Sequence, residues 1–417
     1  MLGQMSAYWV NKIYMLGHYL DTGTFEPPLE VVSITLIGRN LPVSESGDFF
    51  VYFSVLPDPR TDHTKKHLLT DILFISVCTI ICGGEGFTDM EEFGEAKEEW
   101  LRKYLELPHG IPSHDTFRRV FSILDPVAFG ECFTRWSQAL HKATGGEVIA
   151  LDGKTIRHSF DTASGQPALH MVSAWASENG LALGQVKVDE KSNEITAVPK
   201  LLEMIDVKGR IITTDAMGCQ KDIASRIVEK KGDYVFCLKG NQESLHDDVK
   251  FFFDEAKAAN FKDVEHRYFE TVEKDHGRIE IRRCWVVEED AMKWLEKGDQ
   301  WPGLASIAAI EAQRKIRGKT TTETRYFISS LTGSAEKLAG AARSHWAIEN
   351  SLHYVLDVTL NEDRSRIRKD NAPENLAILR RIALNIVKRE QTQKASVRRR
   401  VKKAGWDNSY LEQVLVS

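Results

Sequence analysis

The pattern of apolar and polar positions predicts that the first half of the chain contains a helical domain. Between about residues 56 and 145, apolar residues recur at helical spacing, with helices predicted near 68–82 and 89–105. A third helix is predicted to begin after Ser113, a residue type that caps helix N-termini. Its apolar side chains share one face, namely Phe117, Val120, Phe121 and Leu124. The segment is therefore predicted to fold as a helical N-terminal domain.

After residue 146 the spacing changes to an alternation of strands and helices. The runs "EVIALD", "HMVSAWAS" and "LALGQVKV" are rich in apolar and β-branched residues and predict three strands in a meander. A helix over 194–205, the strand "RIITTD", the helix "CQKDIASRIVEKKG" and the strand "DYVFCLK" are predicted to follow. This order predicts an α/β fold in which helices cover the faces of a mixed sheet.

The predicted alternation of strands and helices is interrupted after residue 240, and this change in pattern defines the remaining segments. Residues 241–333 contain further strand-like pieces and predict a β-rich insertion. The sheet domain, which begins with residues 146–240, is predicted to resume over 334–390 with a long helix from about 334 to 360. A basic C-terminal tail is predicted over 391–417, and residues 1–55, with weak periodicity and several breakers, are predicted to be an atypical extension.

Composition and charge narrow the class of protein. The chain has 417 residues, 42% of them hydrophobic and 28% charged, which is typical of a soluble globular protein. The net charge of -5 argues against a uniformly basic surface, but 14 lysines and arginines against 3 acids lie between Arg364 and Lys403. This block could neutralise phosphates or form a solvated helix face. The 6 cysteines lack metal-ligand spacing, and the most apolar window, residues 72–84, is too short to cross a bilayer. We therefore predict a cytoplasmic protein with reduced thiols and no membrane partner.

Two acids directly follow apolar runs in the predicted sheet. Asp152 follows "VIAL", and Asp215 follows "IITT". Open α/β sheets bind ligands at strand ends, so these carboxylates could converge there. Either one alone could be a solvated aspartate at the end of a strand. Two carboxylates close together repel each other and are best tolerated with a cation between them.

The predicted helix over 334–360 supplies further candidates. Glu349, His353 and Asp357 follow one another at four-residue spacing and form one polar row. That row could face the edge of the sheet or could be an exposed polar surface. Three carboxylates are hard oxygen ligands that suit Mg²⁺ or Mn²⁺, and pairs of such ions catalyse phosphoryl displacement. Together with the basic block, this chemistry points to a nucleic-acid substrate.

Several motifs resemble a known family. "LDGKTIRHS", "TTDAMGCQKDIA", "DYVFCLKGNQ", "HGRIEIR" and "RSHWAIENSLHYVLDVTLNEDRSRIRK" are similar to the H-repeat-associated family of bacterial insertion-sequence transposases, within the DDE superfamily. The resemblance covers roughly residues 55–415. It implies a ribonuclease-H-like catalytic domain that is interrupted by the β-rich insertion and preceded by the helical domain. It also implies a metal-dependent DNA transposase, a polynucleotidyl transferase and endonuclease, with two Mg²⁺ or Mn²⁺ ions.

The implied partners are the terminal inverted repeats of the transposon and the target DNA. A homodimer is expected in the DNA complex, because two ends must be held at once. The implied location is the bacterial cytoplasm, at the nucleoid when the protein is bound to DNA. The alternative function is that of a domesticated or inactive transposase relic, which binds DNA without mobilising it.

The resemblance places the catalytic and metal-binding acids at Asp152, Asp215 and Glu349. Asp357 and Glu362 remain alternatives to Glu349, because the helix departs from the Tyr, Arg, Glu and Lys signature of related DDE transposases. The departures are Ala342, Trp346 and Leu356. His353 and Asp357 are predicted to assist the metal ligands without binding the ion. The residues expected to contact DNA are Lys154, Arg157, Lys239, Asn241, Arg278, Arg282, Arg366 and Arg368.

Overall fold

A mixed β-sheet organises the fold. The computed structural model describes residues 48–162, 165–189, 192–275, 277–288, 292, 295 and 298–417. The described strands are β1 (Val148–Thr155), β2 (His170–Ala176), β3 (Leu181–Lys187), β4 (Ile211–Thr214), β5 (Asp233–Leu238), β6 (Arg267–Asp275), β7 (Arg278–Glu288), β8 (Ser306–Ile316) and β9 (Lys319–Ser329). Their order across the sheet is β3-β2-β1-β4-β5-β9-β8-β7-β6. β1 pairs antiparallel with β2 and parallel with β4, so the predicted mixed sheet is confirmed.

The predicted helical domain in front of the sheet is also confirmed. Its helices are α1 (Phe49–Phe53), α2 (Leu69–Ile81), α3 (Phe87–Ala96), α4 (Glu98–Leu101), α5 (His114–Ile123) and α6 (Pro126–Thr144). The single helix predicted over 89–105 is therefore two short helices, and Lys97 lies between them with a non-helical φ of -117°. On α5, the apolar face that the sequence predicted is buried.

The end of the predicted N-terminal extension is part of this helical core. Residues 1–47 lie outside the described part of the chain, but α1 contributes the buried side chain of Phe53. The Phe53 ring lies 5.8 Å from that of Phe129 and 6.2 Å from that of Trp136, measured between ring centroids. The boundary that we predicted at residue 55 is thus crossed by core packing.

The remaining helices cover the sheet and connect it to the helical domain. They are α7 (Glu194–Met204), α8 (Lys221–Glu229), α9 (Glu243–Ala258), α10 (Ala335–His345), α11 (Tyr354–Val358), α12 (Ala372–Arg389), α13 (Val397–Trp406) and α14 (Asn408–Val416). α12 is buried along most of its length and packs against α2, α6 and β3. Because one hydrophobic core passes from the helices into the sheet, the domain boundaries remain a prediction.

The predicted insertion begins with a helix that the sequence analysis missed. α9 occupies its first part, with buried side chains at helical spacing, namely Leu245, Val249, Phe253 and Ala256. The four strands after it are not a separate sheet. β9 pairs antiparallel with β5, and Phe236 lies opposite Ile328, so the insertion extends the central sheet. Without β9, the edge of β5 that faces away from β4 would have unpaired N–H and C=O groups. β9 pairs with this edge and so continues the sheet.

The predicted C-terminal tail is folded. Residues 397–416 form α13 and α14, which pack against each other and against α12. Part of the basic block is internal: Arg380 and Arg381 are buried, and the Lys388 ammonium lies 4.3 Å from the centre of the Trp175 ring. The count of positive charges therefore overstates the basic surface. Within the described residues, no helix combines the length and the apolar character needed to span a membrane.

Candidate active site

Asp152 and Asp215 lie at the same level on neighbouring parallel strands. The β1–β4 pairing ends with Leu151 opposite Thr214, and the two aspartates are the next residues of the two strands. We had predicted that Asp152 ends its strand. It lies within β1 instead, because β1 continues to pair with β2 as far as Thr155. β4 ends one residue before Asp215, so the sheet opens beside Asp152. The structure thus brings both predicted acids to one place.

The turn after β4 holds the Asp215 side chain. Its Oδ1 accepts hydrogen bonds from the backbone N–H groups of Met217, at 2.9 Å, and Gly218, at 3.3 Å. A second contact comes from the end of β5: the side-chain amide of Asn241 donates to the Ala216 carbonyl at 2.6 Å. Asn241, which we expected to contact DNA, therefore supports the loop that carries Asp215.

The helix that carries Glu349 is irregular. The uninterrupted helix predicted over 334–360 is instead α10, a π-helical turn over Glu349–His353, and α11. The Tyr354 N–H donates to the Glu349 carbonyl, five residues back, which defines this wider turn. Single π-turns within α-helices are found frequently at functional sites.

The π-turn places Glu349 and His353 beside Asp152. His353 Nδ1 lies 3.5 Å from Asp152 Oδ2 and 3.5 Å from Glu349 Oε2. One ligand atom from each of the three side chains lies within 4.8 Å of the others, a separation that could hold a metal ion. The Glu349 side chain is 65% exposed and Asp152 only 14%, so the cluster opens to solvent on the Glu349 side.

The electrostatics of the cluster favour a bound cation. Burial is the largest of several causes that together raise the pKa of Asp152 from 3.8 to about 7. The other causes of this raised pKa are the negative charges of three nearby carboxylates, namely Glu349, Asp215 and Glu194. A carboxylate among other carboxylates is stabilised in its charged form when a cation lies between them. Burial also lowers the pKa of His353 to about 3, so its imidazole is neutral at pH 7 and has a lone pair for a metal ion.

Glu194 is a carboxylate near the site that the sequence analysis missed. It lies in the first turn of α7, and its Oε1 accepts a hydrogen bond from His170 Nε2 at 2.8 Å. The same carboxylate lies directly over Gly153, where a Cβ atom would collide with it. The glycine therefore permits this close approach next to Asp152, whereas a larger residue would require the flexible Glu194 side chain to move. The one local signal was Asn193, which caps the helix by accepting from the Ile195 N–H.

Lys154 is held inside the protein. Its Nζ lies 2.7 Å from Asp357 Oδ1, 3.0 Å from Asp363 Oδ1 and 3.3 Å from Glu362 Oε2, and its side chain is only 7% exposed. This pairing argues against the predicted contact between Lys154 and DNA. The reason is geometric: two residues beyond Asp152 on β1, the side chain points to the same face of the sheet, where α11 covers it.

The ion pairs around Lys154 include Asp357 and Glu362, the two alternatives to Glu349. Glu362 is fully buried and accepts from Arg381 Nη1 at 3.0 Å, and Asp357 pairs with Lys154. Both carboxylates are thus neutralised by cations of the protein itself. Among the residues that the structure describes, Glu349 is the one of the three candidates that shares a potential metal site with Asp152.

The other residues that we expected to contact DNA differ in exposure. The Arg157 side chain is 80% exposed, and Lys239 and Arg366 are also exposed. Arg368 is partly buried; its Nε donates to the His158 carbonyl at 3.0 Å, and its guanidinium lies over the Phe160 ring.

The two arginines predicted on the insertion are paired with acids. Arg282 donates to Glu280 at 2.6 Å and to Glu273 at 3.3 Å. Arg278 is about half exposed and lies 3.4 Å from Glu280. Of the two, Arg278 is the better placed to reach a ligand in solvent.

Comparison with known proteins identifies the family of this chain. The family model described as "Transposase DDE domain" matches residues 143–386, and its associated domain, "DDE_Tnp_1-associated", matches residues 50–137. The "H repeat-associated putative transposase YhhI" of Escherichia coli (strain K12) is 43% identical over 368 residues, 87% of this chain and 96% of that protein. The "Putative transposase YncI" of Escherichia coli O157:H7 is 45% identical over 369 residues, 88% of this chain and 94% of that protein.

A solved structure of piggyBac transposase, in a synaptic complex with hairpin DNA, aligns with a TM-score of 0.40 and 11% sequence identity. The alignment covers 85% of this chain and 74% of that one. The match to the DDE domain model, which spans more than half of the chain, confirms the family and the ribonuclease-H-like fold that the sequence predicted. The chain belongs to the DDE transposase family.

Proposed function

We propose that this chain is an active insertion-sequence transposase. It hydrolyses a phosphodiester bond at each transposon end and then directs the freed 3′-hydroxyl at target DNA, with two Mg²⁺ or Mn²⁺ ions. The observation that carries the proposal is the convergence of Asp152, Glu349 and His353 within 4.8 Å, next to Asp215, which directly follows the neighbouring strand β4. This donor set is anionic, partly open to solvent and suited to a divalent cation.

The residues of the chain would divide the work according to their surroundings. A divalent ion, when bound, would polarise the phosphate and activate the attacking oxygen. Asp152, at the centre of the cluster, must lose its proton to serve as a ligand. Asp215 is held in position by two backbone N–H groups, and the exposed Glu349 lies on the side of the cluster that opens to solvent, from which DNA would enter.

DNA would be held by cations that are exposed at the protein surface. Arg157, Lys239 and Arg366 are exposed, and the first lies five residues after Asp152. On α5, Arg118 and Arg119 are exposed as well and could extend the contact to the helical domain. Terminal inverted repeats and target DNA are the partners that we propose, with a homodimer in the complex.

The test is cleavage of end DNA by the full-length protein. We expect nicking of DNA that carries the cognate inverted repeat in Mg²⁺ or Mn²⁺, and its loss in Asp215→Ala. Asp222→Ala is the matched control, because Asp222 is exposed on α8 and pairs only with Arg226 at the surface. Wild-type protein that nicks no better than Asp215→Ala would overturn the proposal. If that protein still binds end DNA, the alternative of a DNA-binding relic is correct.

A further inference from the structure

We infer that His353 is a direct metal ligand, so that the site offers one nitrogen and several oxygen atoms to the ion. From the sequence alone, His353 was predicted only to assist the metal ligands. The inference deepens the proposed function and rests on it, because it concerns the ion that the proposed reaction requires. A ligand set of one imidazole nitrogen and several carboxylate oxygen atoms would also determine which metal ions the site prefers.

The distances between His353 Nδ1 and the two carboxylates fit a shared metal ion. His353 Nδ1 lies 3.5 Å from both Asp152 Oδ2 and Glu349 Oε2. Hydrogen bonds of a nitrogen donor to oxygen are usually about 2.7–3.2 Å long, so both contacts are too long for good hydrogen bonds. Two ligands that each lie about 2.1 Å from one ion are about 3.0–3.5 Å apart. The ring nitrogen therefore stands where a ligand shared with the two carboxylates would stand.

The His353 ring is buried, yet it lacks the hydrogen bonding that is usual for a buried histidine. His353 is 5% exposed, and its Nδ1, the ring nitrogen that faces the carboxylates, lies 3.5 Å from both of them, beyond the usual length of a hydrogen bond. A buried histidine that serves packing alone normally has its ring nitrogens hydrogen-bonded. His345, on the preceding helical segment, shows this ordinary arrangement, since its Nδ1 lies 3.2 Å from Thr213 Oγ1. The ring of His353 is instead directed at the two carboxylates.

The backbone is irregular at the two helical residues of the cluster. The π-turn begins at Glu349 and ends at His353, so the irregular segment contains both helix-borne members of the cluster and little else. π-turns are uncommon and are found mostly at functional sites. Here the wider turn coincides with the residues whose side chains meet at Asp152.

A nitrogen ligand changes which ions the site prefers. Imidazole suits transition-metal ions, whereas sites made only of carboxylates and water suit Mg²⁺. We therefore expect Mn²⁺ to bind this protein more tightly than Mg²⁺, and we expect His353 to be responsible for part of that difference.

The experiment is Mn²⁺ binding to the full-length protein without DNA, followed by electron paramagnetic resonance. Electron spin echo modulation of the bound ion detects a coordinated imidazole nitrogen directly. We expect this nitrogen signal in the wild type and in the matched control His345→Gln, and its absence in His353→Gln. The affinity of His353→Gln for Mn²⁺ should fall by at least roughly 10- to 100-fold, because the loss of groups that merely support metal ligands already has an effect of that size. Its affinity for Mg²⁺, measured by competition with Mn²⁺, should fall less.

The outcomes separate this inference from the proposed function. Wild-type protein that binds Mn²⁺ without a nitrogen signal would overturn the inference and leave the proposed function standing, provided that Asp152→Asn abolishes binding. A nitrogen signal in the wild type supports the inference even if His353→Gln fails to fold, which circular dichroism would reveal. A wild type that binds no Mn²⁺ would overturn the inference, and the nicking assay would then decide the proposed function separately.

Discussion

The Nζ of Lys154 lies 2.7 Å from Oδ1 of Asp357, and this contact joins β1 to α11. Lys154 is two residues after Asp152, and Asp357 is four residues after His353. The ion pair therefore fixes the strand that carries one candidate ligand against the helical segment that carries two others. Two more carboxylates, Glu362 and Asp363, approach the same ammonium group.

Replacement of this lysine should destabilise the fold. We expect Lys154→Met to lower the free energy of unfolding by about 3–5 kcal/mol, because it leaves buried carboxylates without their cation. Urea denaturation at neutral pH measures the change. Arg157→Met is the control on the same segment; its side chain is 80% exposed, and the expected change is within about 0.5 kcal/mol. Equal effects of the two substitutions would contradict the role that we assign to the network.

Asp152→Asn should abolish nicking and yet stabilise the metal-free protein. The pKa of Asp152 is raised from 3.8 to about 7, first by burial and then by neighbouring negative charges. A carboxyl group with a raised pKa contributes most to stability at low pH, and that contribution is lost as the pH rises from about 3.8 through about 7. The gain in melting temperature from Asp152→Asn, measured in EDTA, should therefore be larger at pH 8 than at pH 4.

Divalent ions should reverse this order of stability. Mn²⁺ should raise the melting temperature of the wild type, because it binds only the folded site, and should have little effect on Asp152→Asn. Asp222→Asn, an exposed change on α8, should behave like the wild type in both buffers. A metal-dependent stabilisation that persists in Asp152→Asn would place the ion elsewhere.

DNA binding should depend more on Arg157 and Arg366, which are exposed, than on Arg282, whose side chain is only 23% exposed. We expect Arg157→Gln and Arg366→Gln each to weaken binding and to reduce the slope of log affinity against log salt by about 0.9, the value for one lost phosphate contact. Arg282→Gln is the contrast, because its guanidinium is already paired with Glu280 and Glu273. Fluorescence anisotropy over a range of salt concentrations checks this. A slope that changes as much in Arg282→Gln as in Arg157→Gln would count against the proposed DNA surface.

The helix α1 should be required for the stability of the helical core. Phe53 is buried against Phe129 and Trp136, so Phe53→Ala should cost about 3–5 kcal/mol. Val51, on the same helix, is 45% exposed, and Val51→Ala should cost far less. Thermal and urea unfolding of both variants measure the difference. If Phe53→Ala were as stable as Val51→Ala, the boundary predicted at residue 55 would be the better description.

Local sequence patterns were sufficient for most of the sheet. The first five strands have apolar runs bounded by turn residues, and these runs match β1 to β5 closely. The four-residue spacing of Glu349, His353 and Asp357 likewise predicted a row of side chains that the structure places along β1. These features depend on neighbours in the chain, and a periodic pattern records them.

The errors have a different physical origin. The basic residues between Arg364 and Lys403 were expected to bind phosphates or to form a solvated surface, but Arg380 and Arg381 are buried and interact with Glu362. A charged residue has the same local sequence whether its partner is water or a buried acid. The helix α9 was a different kind of error, since its apolar spacing is visible in the sequence and was masked by the strand-like pieces around it.

The sequence by itself determined the inventory of the site: two acids after apolar runs, and an acid and a histidine four residues apart on a helix. Only the tertiary structure decided which of them share a site. Lys154 and Asp363 lie 209 residues apart in the chain but 3.0 Å apart in space, and their pairing removes Lys154 from the candidate DNA contacts. Because electrostatic interactions depend on distance through space, the partners of a charged group follow from packing and not from its sequence neighbours.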